Sequence, residues 1–257
     1  MFKNIALSLF LGLLYLFIAA SFLFPTGSFF IQYLLFLLAP LPMLLLMLSF
    51  SFWVAILGFI PILFLMLINL SYAVNINIIL TLPLIIIFIF LNIKQQHQGK
   101  YIPIIITGYS IILLIAVDSY LSQHNLSLPD IILDSVHSLA FQIKSTTPNI
   151  LDNYNSEYLM EVVSFILPTF IAFVFYIILS SNYIFANWLI NKNNHNLQHL
   201  QIGFNLPKYF VYCFILLLII TLAIHYLTKN NWHIMYIMYN IAMIMFIPFL
   251  APGFGVI

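Results

Sequence analysis

"LFLLAPLPMLLLML", residues Leu35–Leu48, is an apolar run that carries Pro40 and Pro42 two positions apart. A membrane-spanning helix needs about 20 mostly apolar residues, and this run has the composition of one. Each proline removes a backbone N–H from a helix interior, which would free the carbonyls of Phe36 and Leu38. Neighbouring helices or water can satisfy such carbonyls in a membrane. The pair therefore predicts a helix break, either a kink that serves packing or a break that opens a binding site. We favour packing, because the run has no polar side chain.

The composition of the whole chain extends this interpretation. The chain has 257 residues, of which 64% are hydrophobic and 5% are charged, with a formal net charge of +1. Soluble domains carry about 25% charged residues, so the chain is expected to be an integral membrane protein with the lipid bilayer around it. Nucleic-acid binding is not expected, since there is no basic patch. Cys213 is the single cysteine, so it has no partner for an internal disulfide.

Hydrophobic runs predict an all-α, polytopic transmembrane helix bundle of about eight spans. The first run is expected to be a retained helix, because it exceeds the roughly 7–15 residues of a signal-peptide core. The whole chain, 1–257, is expected to form a single integral membrane domain. The predicted spans are Ile5–Phe24, Phe29–Leu48, Phe52–Tyr72, Val74–Ile93, Tyr101–Val117, Glu161–Ile184, Tyr209–Tyr226 and His233–Leu250.

Lysine placement predicts the orientation, because cytoplasmic loops of membrane proteins are enriched in basic residues. With both termini in the cytoplasm, five lysines lie inside (Lys3, Lys94, Lys100, Lys192 and Lys208) and two lie outside (Lys144 and Lys229). The absence of arginine and the abundance of Ile, Asn, Phe and Tyr are typical of an AT-rich bacterial genome. We therefore expect a multi-pass protein of the bacterial inner membrane.

Two of the segments between the predicted spans are longer than a tight turn: an outer segment and a cytoplasmic loop. The outer segment, 118–160, contains all the acidic residues except Glu161 and a predicted amphipathic helix over 128–144, which we expect to lie at the outer interface. That helix is either a plain surface helix or a lid over an outward-facing cavity. The cytoplasmic loop, 191–208, holds His195 and His199 four residues apart, which we interpret as a solvated pair rather than a metal site.

The predicted spans carry no charged residue near their centres, which argues against a proton-coupled carrier and against a hydrolase with paired carboxylates. We therefore expect no enzymatic activity, no catalytic residues and no cofactor. Neutral polar residues do occur near mid-span, and they serve either as helix–helix hydrogen bonds or as the lining of a cavity for a weakly polar small molecule. These candidate substrate-binding residues are Thr81, Thr107, Tyr109, Ser110, Thr169 and Asn240.

Three motifs resemble those of the YybS-like family of uncharacterised bacterial membrane proteins. They are the double-proline run, "FNLPKYF" with Pro207, and "IPFLAPGFGVI" with Gly253. The family usually has an aromatic residue where Lys208 or Tyr209 stands, and it continues beyond the last motif with a histidine and an apolar segment. We accordingly expect a shortened member.

The resemblance implies a distant similarity to the substrate-capture subunits of energy-coupling-factor transporters. On that basis the expected function is binding or transport of a small molecule, with membrane or ATPase partner subunits. The alternative is a non-catalytic membrane scaffold, or a partner in envelope or cell-shape assembly.

Overall fold

The computed structural model describes residues 2–21, 37–68, 82–90, 101–146, 156–191, 208–227 and 231–250. Within these ranges all the regular structure is helical, as the sequence predicts. Nine helices are described: α1 (Phe2–Ser21), α2 (Pro40–Ser49), α3 (Phe52–Ile68), α4 (82–90), α5 (Ile102–Gln123), α6 (Leu128–Thr146), α7 (Ser156–Asn191), α8 (Lys208–Leu227) and α9 (Trp232–Leu250).

Four of the described helices are long and apolar enough to cross a membrane. They are α5, α8, α9 and the part of α7 between Met160 and Ile190. Each of these helices overlaps one of the predicted spans. The described residues thus contain four candidate spans, whereas the sequence predicts about eight for the whole chain. The remaining four predicted spans either correspond to shorter apolar stretches in α1, α2 and α3 or, as with Val74–Ile93, lie largely outside the described residues.

The double-proline motif marks the beginning of a helix. A turn at Ala39 separates Leu37 and Leu38 from α2, whose first residue is Pro40. The first four N–H groups of a helix have no intrahelical acceptor, so prolines in the first turn cost no hydrogen bond. The Leu37 carbonyl before the turn accepts a hydrogen bond of 2.7 Å from Asn182 Nδ2, and so the break is stabilised from α7. Phe36 lies outside the described residues.

The described residues fall into two units, Met1–Ile105 with Ile177–Gly203, and Ile106–Tyr176 with Phe204–Ile257. In the first unit α1 packs on α2 and α3. The contact with α3 is so close that a Cβ on Gly12 would collide with the Gly58 carbonyl. Ser8 reinforces it by donating a hydrogen bond of 2.6 Å to the Val54 carbonyl. Small residues allow such an approach of two apolar helices, which gives dispersion contacts that lipid cannot replace.

In the second unit α9 packs against α8 and α6. Aromatic rings fill the contact between α8 and α9, where the ring centroids of Phe214 and Phe249 are 5.0 Å apart. By contrast α8 is exposed along most of its length, and only Phe210 and Thr221 are buried in it. An apolar helix with this exposure is suited to lipid contact.

Helix α6 occupies the segment predicted to form the amphipathic helix. Leu128 and Val136 are buried, whereas Leu139 and Phe141 are 57% and 76% exposed. Exposed apolar side chains beside the polar residues of the same helix are typical of a helix at a membrane surface. The placement of α6 at the outer interface stays a prediction.

Candidate functional site

A groove of about 510 Å³ runs between α7, α8 and α9 in the second unit. Pockets that hold small molecules are usually about 300–1,000 Å³, so the groove has the size of a ligand site. Its walls come from four residues of α7, two of α8 and six of α9. The lining residues are Ile166, Thr169, Phe170, Phe173, Phe214, Leu218, Tyr239, Ala242, Met243, Phe246, Ile247 and Leu250.

The chemistry of the groove follows from these side chains. None of the lining residues is charged, and only Thr169 and Tyr239 carry a hydroxyl. A charged or strongly polar ligand would lose its hydration here without gaining partners, which costs several kcal/mol. The groove is therefore suited to the apolar part of a molecule.

Asn240 and Thr169, two of the predicted binding residues, are brought together beside the groove. The Thr169 hydroxyl donates to Asn240 Oδ1 at 2.8 Å, and Asn240 Nδ2 donates to the Phe165 carbonyl at 3.1 Å and the Tyr236 carbonyl at 3.0 Å. Both donors of the Asn240 amide are thus used within the protein, and its side chain is fully buried. Asn240 holds α9 against α7, while Thr169 also contributes to the wall of the groove.

Asn240 belongs to a polar stripe on α9 that also includes His233 and Tyr236, spaced three and four residues apart on one helix face. The Tyr236 hydroxyl donates to the Ser164 carbonyl at 3.0 Å. His233 Nε2 lies 2.7 Å from Asp118 Oδ1 on α5. Each residue of the stripe contacts α5 or α7, so together these contacts fix the rotation of α9 and the orientation of its groove-lining face.

Thr107, Tyr109 and Ser110 are not among the residues that line the groove. Ser110 donates to the Ile106 carbonyl within its own helix at 2.9 Å, and the Tyr109 ring lies 6.3 Å from the Phe175 ring. Thr107 is buried, and its hydroxyl has no hydrogen-bond partner among the described residues. Thr81 is outside the described residues.

The two motif residues Pro207 and Gly253, together with His195 and His199, also lie outside the described residues. In the described part of the chain, no three His, Cys, Asp or Glu side chains cluster as metal ligands.

The sequence interpretation missed the pair at one end of the groove. Tyr239 lines the wall, and its hydroxyl lies 3.2 Å from Nδ1 of His225 on α8. Tyr239, Met243, Phe246 and Leu250 follow at spacings of four, three and four, which is a helix face. That spacing was visible in the sequence, but every apolar span contains such faces. The signal therefore does not distinguish a groove from a contact with lipid.

In comparisons with known proteins, the chain matches no family model, no characterised protein and no solved structure. The resemblance to the YybS-like family stays a prediction. Function is accordingly inferred from the geometry of the chain itself.

Proposed function

We propose that this chain is a multi-pass membrane protein that binds a small, largely apolar molecule in the groove between α7, α8 and α9, as a membrane subunit of a transport system. The observation that carries the proposal is the groove itself, whose volume lies in the range of small-molecule sites and whose lining is almost wholly apolar. The proposal includes no catalytic step. Thr169 offers hydroxyl lone pairs at the groove wall, and Tyr239 offers a hydroxyl at one end.

We also propose that the chain crosses a bacterial inner membrane about eight times, with both termini in the cytoplasm. Cysteine labelling in a Cys213→Ala background tests the orientation. A cysteine at position 137 should react with a membrane-impermeant reagent in intact cells, and one at position 195 should react only after lysis. The reverse pattern would overturn the orientation.

A scaffold or envelope-assembly role is the second candidate, and a specific observation favours it. The polar groups of Asn240 and Tyr236 are used in contacts between helices, which suits a rigid bundle. The exposed apolar surface of α8 would then contact a partner helix rather than lipid.

One purification separates the two candidates. The full chain and two tryptophan variants are isolated from the native membrane, and bound molecules and proteins are identified by mass spectrometry. Met243→Trp fills the groove, whereas Leu216→Trp places the same side chain on the exposed face of α8 that points away from the groove. If the chain binds a small molecule in the groove, that molecule should be recovered with the native chain and with Leu216→Trp but lost with Met243→Trp.

Recovery of ATPase subunits with the same chains would support a transport role. Recovery of envelope proteins alone, with no small molecule that depends on the groove, would refute binding and favour the scaffold. Thermal unfolding of each variant in detergent is the control for folding.

A further inference from the structure

Resting on the proposed binding role, we propose that the groove holds one hydrocarbon chain of a membrane amphiphile, with the polar headgroup of that molecule at the end formed by Tyr239 and His225. The inference adds the chemical class and the orientation of the ligand. Three observations support it: the groove is open to the hydrocarbon region, it is long enough for a hydrocarbon chain, and its polar groups lie at one end.

The groove is reached from the hydrocarbon region. Phe170, Leu218 and Phe246 line it and are also exposed, at 56%, 38% and 48%. The exposed side chains next to them, Ile171 and Leu222, are apolar as well. Since α7, α8 and α9 are candidate spans, the groove is continuous with the lipid-facing surface of these helices. A molecule dissolved in the bilayer can therefore enter without crossing water.

The groove is long enough for most of one extended hydrocarbon chain. Along α9 the lining runs from Tyr239 to Leu250. At about 1.5 Å per residue, this stretch of helix is about 16 Å long. The hydrocarbon core of a bilayer is about 30 Å thick, so the chains of one leaflet extend about 15 Å. A single extended chain thus has the length that the groove accommodates.

The two ends of the groove differ in polarity. At one end the Tyr239 hydroxyl lies 3.2 Å from His225 Nδ1, and His225 is exposed. When Nδ1 accepts the tyrosine proton, Nε2 carries a proton and is a donor. At the other end Ile247 and Leu250 offer only hydrocarbon. A headgroup that accepts hydrogen bonds, such as a carboxylate or an ester, is therefore complementary to the first end and not to the second.

Photolabelling of the purified full chain in lipid nanodiscs tests the proposal. The probes are two diazirine derivatives of palmitic acid, one with the photoreactive group near the carboxylate and one with it near the terminal methyl. Unlabelled palmitate is the competitor, and labelled positions are located by peptide mass spectrometry. Leu218→Trp fills the groove from α8, and Leu216→Trp is the matched control on the opposite, exposed face of the same helix, outside the groove.

We expect saturable labelling that palmitate competes, with the carboxylate-end probe near Tyr239 and the methyl-end probe near Leu250. Leu218→Trp should reduce competed labelling about tenfold, equivalent to about 1.4 kcal/mol, and Leu216→Trp should leave it unchanged. Equal, non-saturable labelling of both variants would mean ordinary contact with bulk lipid and would overturn the proposal. Labelling with the two probes exchanged would overturn the orientation.

A folding defect in Leu218→Trp would be detected by thermal unfolding, and Met243→Trp then fills the groove from α9 instead. Failure of this inference is distinguishable from failure of the proposed function. A natural small molecule that is lost from Met243→Trp, with no competed palmitate labelling of the native chain, would show a binding groove for a different class of ligand.

Discussion

Replacing Asn240 with leucine tests whether this residue holds the helices around the groove. The change removes the hydrogen bond from Thr169, at 2.8 Å, and the one to the Phe165 carbonyl, at 3.1 Å, both of which join α9 to α7. Hydrogen bonds between membrane helices contribute about 0.6 kcal/mol each on average, so we expect Asn240→Leu to lower the free energy of unfolding by about 1.2 kcal/mol. Leucine has the same number of side-chain heavy atoms and the same branching as asparagine, so the substitution leaves no cavity.

Two features limit the loss to about this value. The third bond of Asn240, to the Tyr236 carbonyl, lies within α9, whose backbone hydrogen bonding remains. Without Asn240, the Thr169 hydroxyl can rotate to the Phe165 carbonyl one turn earlier, as helical threonines often do. Thr169→Val removes only one interhelical bond and should cost about 0.6 kcal/mol. Combining the two substitutions in a double-mutant cycle isolates the energy of the Thr169–Asn240 contact.

The assay is unfolding of the purified chain in mixed micelles as the proportion of denaturing detergent rises, followed by circular dichroism. Bound small molecules are recovered from the same preparations. A lower unfolding free energy with unchanged recovery agrees with a positioning role. Unchanged stability together with lost ligand would refute this reasoning and would make Asn240 a direct contact of the ligand, as the sequence analysis proposed.

Three further substitutions test other contacts by the same unfolding measurement. Gly12→Ala should lower the free energy of unfolding by about 1–3 kcal/mol, because its Cβ would meet the backbone of α3. Gly108→Ala is the control and should not destabilise, because nothing lies within 4 Å of a Cβ at that position. Equal effects of the two substitutions would contradict the close contact. Tyr236→Phe should cost about 0.6 kcal/mol through its lost hydrogen bond to α7, and no loss would contradict that bond. Replacing Pro40 and Pro42 together with alanine should leave stability within about 1 kcal/mol, since both lie in the first turn of α2; lost ligand binding with unchanged stability would instead favour a binding role for the motif.

Much of the helical architecture could be predicted, because membrane spans are specified by local composition. The ends of α8 and α9 agree with the predicted spans to within one residue. Helix α7 is longer than predicted and extends from Ser156 to Asn191, because the polar residues at its ends do not interrupt its backbone hydrogen bonding. Hydropathy measures how much of a segment suits lipid, and it gives no information on where a helix ends in a polar region.

The candidate site was predictable only in part. The polar character of Thr169 and Asn240 singled them out, and the two are in contact. Ser110 has the same character but donates within its own helix, and nothing in the sequence separates these outcomes. His225 and Tyr239 were missed because their 3.2 Å contact depends on how α8 packs on α9.

The sequence by itself determined that the chain is helical and suited to a membrane, because the cost of exposing an unpaired backbone to hydrocarbon leaves an apolar chain few alternatives. Only the tertiary structure decided which faces of α7, α8 and α9 pack together and which leave a groove. All these faces are apolar, so the hydrophobic pattern does not distinguish them. The shapes of the helix surfaces and a few hydrogen bonds, such as those of Asn240, determine which faces pack together.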